Sequence, residues 1–349
     1  MIVFLLLLIV ELVLFFVVKK SLKKKNVKKS CRVLFVFSFI IIFILTIFFA
    51  IFPPAKQISV TGKYQFSSTD YWVTENQADP YLNDGSLRQL QVRKWQPLEC
   101  SEIHPVVIAS HGSGGTVDNN GTFYKELASH GYTVLAVVHP GQASSMVYED
   151  GRKTGLSKEF LKQSSSIDPD KDLKTTYKVF SEWMRIRKAD LNAVMDDYME
   201  KNGPVNFIMF GHSLGGSAAY AMARSRTDVI GAIALESPFM ADVYENSEGE
   251  IVFDDSDYTV PLLNVYSDSS YSILKQRKDY KNNAKFLECN NPLYTNIYYE
   301  GTVHMGLCDI SLISPVLTTL LSGKRQKVKA YEHIQKMNAD CLNWIQMIE

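Results

Sequence analysis

The chain has 349 residues, 37 basic and 37 acidic side chains, and a formal net charge of zero. Apolar residues make up 46% and charged residues 21%, which excludes a disordered chain or a disulfide miniprotein. The neutral balance leaves no electrostatic footprint for a nucleic-acid partner.

These averages conceal two unlike pieces that meet near residue 53. Residues 1–18 are apolar apart from Glu11, and residues 33–52 are twenty residues without a charge, stopped by Pro53 and Pro54. Twenty helical residues reach roughly 30 Å, the thickness of a bilayer core. The runs predict two transmembrane helices, 1–18 and 33–53. A cleaved signal peptide fits the first run less well, because no basic stretch precedes its apolar core. The segment between them, 19–32, carries Lys19, Lys20, Lys23, Lys24, Lys25, Lys28, Lys29 and Arg32. Such a loop is expected to stay cytoplasmic, which predicts a multi-pass protein of the cell membrane with residues 54–349 on the extracellular side.

With those eight bases and Glu11 set aside, residues 54–349 hold 29 basic against 36 acidic side chains, a net −7. Short β-branched runs at 90–95, 105–110, 133–138, 205–210, 230–235, 262–266 and 296–299 predict strands. Helical periodicity marks 124–130, 177–202, 217–224 and 331–348. The alternation predicts a mostly parallel sheet covered by helices on both faces. Residues 141–176 interrupt it with a polar stretch expected to form a lid-like insertion, whose Met146, Val147, Tyr148, Leu156, Phe160 and Leu161 could line an entrance facing lipid. No cysteine pair has C-x-x-C spacing, so neither a metal nor a cofactor is predicted, and cysteine pairing is left open.

The residues that carry chemistry follow the strands. An apolar run at 205–210 enters Gly211-His212-Ser213-Leu214-Gly215 and then a helical stretch, the strand–turn–helix setting of a nucleophile elbow with Ser213 exposed at its tip. Upstream, a strand ends in His111-Gly112-Ser113-Gly114-Gly115, the expected oxyanion loop, whose donors would be the backbone amides of Ser113 and Leu214. His304 follows the last strand and is the expected base. His104 and His130 precede the elbow, His139 sits before the turn at Pro140-Gly141 and His333 lies on the terminal helix, so these fit less well, and His111 and His212 read as packing residues. Two carboxylates follow strands: Glu236 and Asp268. General placement favours Asp268.

The segments 61–71 and 90–97, SHGSGG, LASHGYTVLAVVHPG, GHSLGG, AIALESPFM and EGTVHMGLCDISLISP make the chain resemble the plasma-type platelet-activating-factor acetylhydrolases and their bacterial, dienelactone-hydrolase-related kin, from about residue 61 to 315. The resemblance implies an α/β-hydrolase fold. It also implies that the acid lies about two dozen residues after the serine, where Glu236 stands in place of the usual Asp, and a substrate of short-chain acyl esters or sn-2 acetyl phospholipids. The expected protein is thus a membrane-anchored serine esterase with Ser213, His304 and Glu236, Asp268 being the alternative acid. Its partners would be an ester or phospholipid substrate and the bilayer. An acyltransferase, or a polyester or xenobiotic hydrolase, on the same three residues is the nearest rival. A catalytically silent binding module is the more distant one.

Overall fold

A computed structural model of the chain describes residues 2–23, 28–82, 84–254 and 256–349, with side chains for all of these but 2–5, 21 and 22. Two long helices open it, α1 (Ile2–Lys23) and α2 (Lys29–Ile51). They lie side by side, with the Phe15 and Phe39 rings 6.1 Å apart. Both run further into the lysine-rich segment than expected, so that 19–23 and 29–32 are helical. Lysine is a good helix former, and no Gly or Pro interrupts the segment. Lys24 and Lys25 lie outside the described residues. Among the described residues α2 is the one helix long and apolar enough to cross a membrane, where two were expected. Its side chains stand out from the protein (Leu34 is 62% and Phe37 60% exposed), so it is no core helix. Its last turn is tied to the globular part where Ser314 Oγ donates to the Ile51 carbonyl at 2.6 Å.

Among the described residues the central sheet has eight strands: β1 (Phe66–Ala78), β2 (Leu87–Pro97), β3 (Val106–Ser110), β4 (Val134–Val137), β5 (Phe207–His212), β6 (Val229–Leu235), β7 (Leu262–Ser267) and β8 (Tyr294–Tyr299). Their order is β1-β2-β4-β3-β5-β6-β7-β8. The pairs β1–β2 and β2–β4 are antiparallel and all others parallel. The central strands are nearly continuous apolar runs because both faces are covered. Alternate residues part to opposite sides. Val106, Ile108, Phe207 and Met209 meet the layer built from α5 (Leu173–Asn202) and α6 (Leu214–Ser225). Val107, Ala109, Ile208 and Phe210 meet α3 (Gly121–Ser129) and the C-terminal helix Ala330–Ile348. The seven expected strands are all present. The eighth, β1, escaped the sequence reading because it is an edge strand with alternating polar residues.

The 141–176 segment is ordered and packed. It holds a small hairpin (Met146–Val147 with Lys153–Thr154) and a helix, α4 (Lys158–Ser166), capped by Ser157 Oγ accepting from the Phe160 amide. The six apolar residues expected at an entrance divide between the core and the surface. Met146, Tyr148 and Phe160 are buried, Phe160 against the Trp183 ring at 4.9 Å, and only Leu156 and Leu161 of the six are exposed. Met146 and Phe160 belong to the core. The five cysteines are unpaired.

Candidate active site

Five parallel strands end along one edge of the sheet, and the loops that leave them carry the residues singled out above: Ser113 after β3, Ser213 after β5, Glu236 after β6, Asp268 after β7 and His304 after β8. The carboxyl edge of an open α/β sheet is where such folds gather a site.

Ser213 joins β5 to α6 with φ 54° and ψ −125°. This left-handed conformation is strained for a residue with a Cβ. It is held by the Ser213 amide donating to the Leu235 carbonyl at 2.8 Å and by glycines on either side. A Cβ on Gly211 would sit 2.2 Å from the Gly215 carbonyl carbon, and one on Gly215 would sit 1.9 Å from the Ser110 oxygen. Only hydrogen fits at these two positions, so the turn is as tight as the sequence pattern demanded.

Glu236 also has positive φ, 50°, and its amide donates to the Val265 carbonyl at 2.7 Å. The bend sends its carboxylate beneath the loop after β8. His304 Nδ1 lies 2.8 Å from Glu236 Oε2. Ser267 donates to the same carboxylate from its amide at 3.1 Å and its hydroxyl at 2.7 Å, and the Ser270 hydroxyl donates as well. Burial would push this carboxyl up. The His304 hydrogen bond and charge, with the serine hydroxyls, outweigh it and hold the group at about 2. Asp268 is engaged elsewhere. It accepts from the Tyr298 hydroxyl at 2.7 Å and the Gly301 amide at 3.0 Å, and Lys327 lies 3.7 Å away. The carboxylate brought to His304 is therefore Glu236.

His212 and His111 serve the architecture. His212 Nε2 donates to the His304 carbonyl at 3.1 Å, and the two rings lie 4.6 Å apart, which ties the loop after β8 to the residue before Ser213. Burial, then repulsion from His304, pushes His212 down to about 3, so it is neutral at physiological pH. The loop 111–115 presses on the elbow. A Cβ on Gly112 would lie 3.0 Å from His212 Nδ1 and 3.3 Å from Ser213 Cβ. In that loop the Gly114 amide donates to the Gln142 carbonyl at 2.9 Å and the Gly115 amide to the Gly112 carbonyl at 3.0 Å.

Beneath this loop lies a buried polar chain that the sequence reading missed. Arg187, on α5, donates to the His111 carbonyl at 2.5 Å, Ser110 Oγ at 3.1 Å and Gln142 Oε1 at 2.7 Å. Ser110 Oγ is 2.9 Å from His139 Nε2, and His139 Nδ1 is 2.7 Å from Asp190 Oδ2. Arg88 grips Asp190 at 2.6 and 3.0 Å and lies 3.1 Å from Asp79. The His139 amide donates to His111 Nε2 at 3.1 Å. A signal for this chain was present. Arg187 and Asp190 interrupt the apolar stripe of α5, four and seven residues after Trp183 and so on its buried face.

Beside the loop a cavity of about 600 Å³ lies between the turn after β1 and the 141–159 segment, lined among others by Tyr81, Tyr148, Leu82 and Leu156. Leu156 Cδ1 is 3.8 Å from where a Gly114 Cβ would be. Cys100, Glu102 and His104 bring three potential metal donors within 4.8 Å of one another, a grouping that C-x-x-C spacing does not register. They precede β3 and so sit at the opposite edge of the sheet from Ser213.

Residues 105–292, more than half of the chain, match the family model described as alpha/beta hydrolase fold. Among solved structures, a ferulic acid esterase from Streptomyces cinnamoneus is similar with a TM-score of 0.61 at 18% identity, over 82% of this chain and 90% of that one. A dienelactone hydrolase-like promiscuous phosphotriesterase from metagenomic libraries matches with a TM-score of 0.47 at 13% identity, over 80% of this chain and 98% of that one.

Proposed function

The chain belongs to the α/β-hydrolase family, and on that premise we propose that it is a serine esterase in which Ser213 is the nucleophile, His304 the base and Glu236 the group that orients it. The observation that carries this reading is the 2.8 Å contact of His304 Nδ1 with a buried, ionised Glu236 beside a strained serine elbow. Donation from Nδ1–H to that carboxylate leaves Nε2 as the basic nitrogen. Nε2 takes the Ser213 proton as Oγ attacks the ester carbonyl, and Glu236 steadies the imidazolium that forms. The tetrahedral oxyanion is met by the amides of Ser113 and Leu214, the second at the N-terminus of α6, where the helix dipole favours negative charge. His304 then returns the proton to the leaving alcohol, and water attacks the acyl-enzyme by the same route.

The resemblance to the platelet-activating-factor acetylhydrolases points to short-chain acyl esters, sn-2 acetyl phospholipids among them. The α1–α2 pair is read as the membrane anchor, with the lysine-rich segment in the cytoplasm and the hydrolase domain outside. Digestion of that domain by an impermeant protease added to intact cells supports the orientation, and full protection contradicts it. For the chemistry, mixing with p-nitrophenyl acetate is expected to give a burst of p-nitrophenol equal to the enzyme present, the mark of an acyl-enzyme. Hydrolysis that resists a fluorophosphonate and is lost to a chelator contradicts the reading.

A further inference from the structure

Resting on the serine-esterase reading above, we propose that Arg187 is the positioning residue of the oxyanion loop, one guanidinium that fixes both ends of the segment carrying the Ser113 amide. At the near end it donates directly to the His111 carbonyl at 2.5 Å. At the far end it donates to Gln142 Oε1 at 2.7 Å, while the backbone carbonyl of Gln142 accepts the Gly114 amide at 2.9 Å. Ser113 lies between these two anchors, and the Gly112 carbonyl, which shares a peptide plane with its N–H, is held by the Gly115 amide at 3.0 Å and by His111 Nδ1 at 2.6 Å.

The guanidinium feels the Asp190 charge but makes its hydrogen bonds elsewhere. Arg187 is fully buried among the apolar residues of α5, where a side chain needed only for packing would be aliphatic. The adjacent carboxylate, Asp190, is already held by Arg88 at 2.6 and 3.0 Å and by His139 at 2.7 Å. Arg187 instead directs its donors at neutral acceptors: the His111 carbonyl, Ser110 Oγ and Gln142 Oε1. A charged donor makes the stronger hydrogen bond, and the planar fork fixes direction as well as distance. An oxyanion donor acts only when held where the charge will develop, and displacement by about 1 Å can cost on the order of 10²-fold in rate.

The test compares the full-length wild type with Arg187→Met, Arg187→Lys and Gln142→Ala, using p-nitrophenyl acetate and an alkyl trifluoromethyl ketone. In the ketone adduct Ser213 Oγ bonds to the carbonyl carbon, the C=O pair becomes an oxyanion, and the serine proton passes to His304. The adduct therefore reports the oxyanion site itself. Arg187→Met is expected to lower kcat by about 10²-fold with little change in KM, and to weaken the ketone by a similar factor. Arg187→Lys, which keeps one donor, should recover part of both losses. Where Arg187→Met does not fold, Gln142→Ala, which releases only the far anchor, is expected to lower both quantities by about tenfold. Folded variants that keep wild-type kcat and ketone affinity overturn the proposal, as does a loss of kcat with ketone affinity intact. A wild type that neither hydrolyses the ester nor binds the ketone at Ser213 overturns the esterase reading instead.

Discussion

Two serine–histidine–carboxylate sets draw their serines and histidines from the carboxyl ends of strands in one sheet. In the first, Ser110 Oγ is 2.9 Å from His139 Nε2 and His139 Nδ1 is 2.7 Å from Asp190. In the second, His304 Nδ1 is 2.8 Å from Glu236, and Ser213 stands on the elbow. The histidine–carboxylate pair alone does not tell them apart. Ser110 ends a regular strand, its hydroxyl accepts from Arg187, and the whole set is buried to 1% exposure or less. Burial, then the Arg187 charge, pushes His139 down to about 4, too weak a base to take a proton at neutral pH. Ser213 is thrust out by a positive φ, and the His304 side chain is 27% exposed. What separates a site from a structural copy of one is access and backbone strain, with the carboxylate–histidine pair common to both.

The largest test of that contrast exchanges the serines. Ser213→Ala is expected to lower kcat for ester hydrolysis by about 10⁶-fold, whereas Ser110→Ala, acting only through the loop it supports, should lower it by less than about tenfold. Steady-state kinetics on the two folded variants decides it, and equal losses would erase the distinction. A smaller effect separates the carboxylates. Glu236→Gln should cost about 10³–10⁴ in kcat, since the imidazole loses its orienting partner, while Asp268→Asn should stay within about threefold. The reverse ranking would move the acid to the loop after β7.

The smallest expected effect is on stability. The folded pKa of His139 is depressed from 6.5 to about 4, so as pH falls the unfolded chain takes up the proton first. Its contribution is fully present above about 6.5 and is lost between there and about 4, up to about 3 kcal/mol. Glu75 and Asp309, raised by burial to about 7 and about 6, act with the opposite sign. The measurement is therefore the difference in unfolding free energy between wild type and His139→Asn. That difference should shrink as pH drops from 6.5 to 4, and a difference flat in pH contradicts a buried neutral His139.

Much of this was legible in the sequence, and what was not has a physical cause. The elbow could be read because Gly211 and Gly215 answer a local steric demand within five residues. His304 could be read because chain order constrains it. The acid stayed divided between Glu236 and Asp268, since both follow neighbouring strands and only the bend at Glu236, with φ 50°, sends one of them to the histidine. The Arg88–Asp190–His139–Ser110–Arg187 chain was illegible because its members are spread from residue 88 to residue 190 on two strands, a loop and a helix. The 141–176 segment looked like a lid because its polar residues dominate. The few apolar ones, Phe160 above all, are what seat it on the core.

The most direct measurement of the central claim is mass-spectrometric mapping of the fluorophosphonate adduct on the full-length protein. Access and strain, not hydrogen-bond order, should select the nucleophile, so one phosphonyl group per chain is expected, on the peptide containing Ser213, with Ser110 unmodified. An adduct on Ser110, or an active enzyme that carries none, would contradict it.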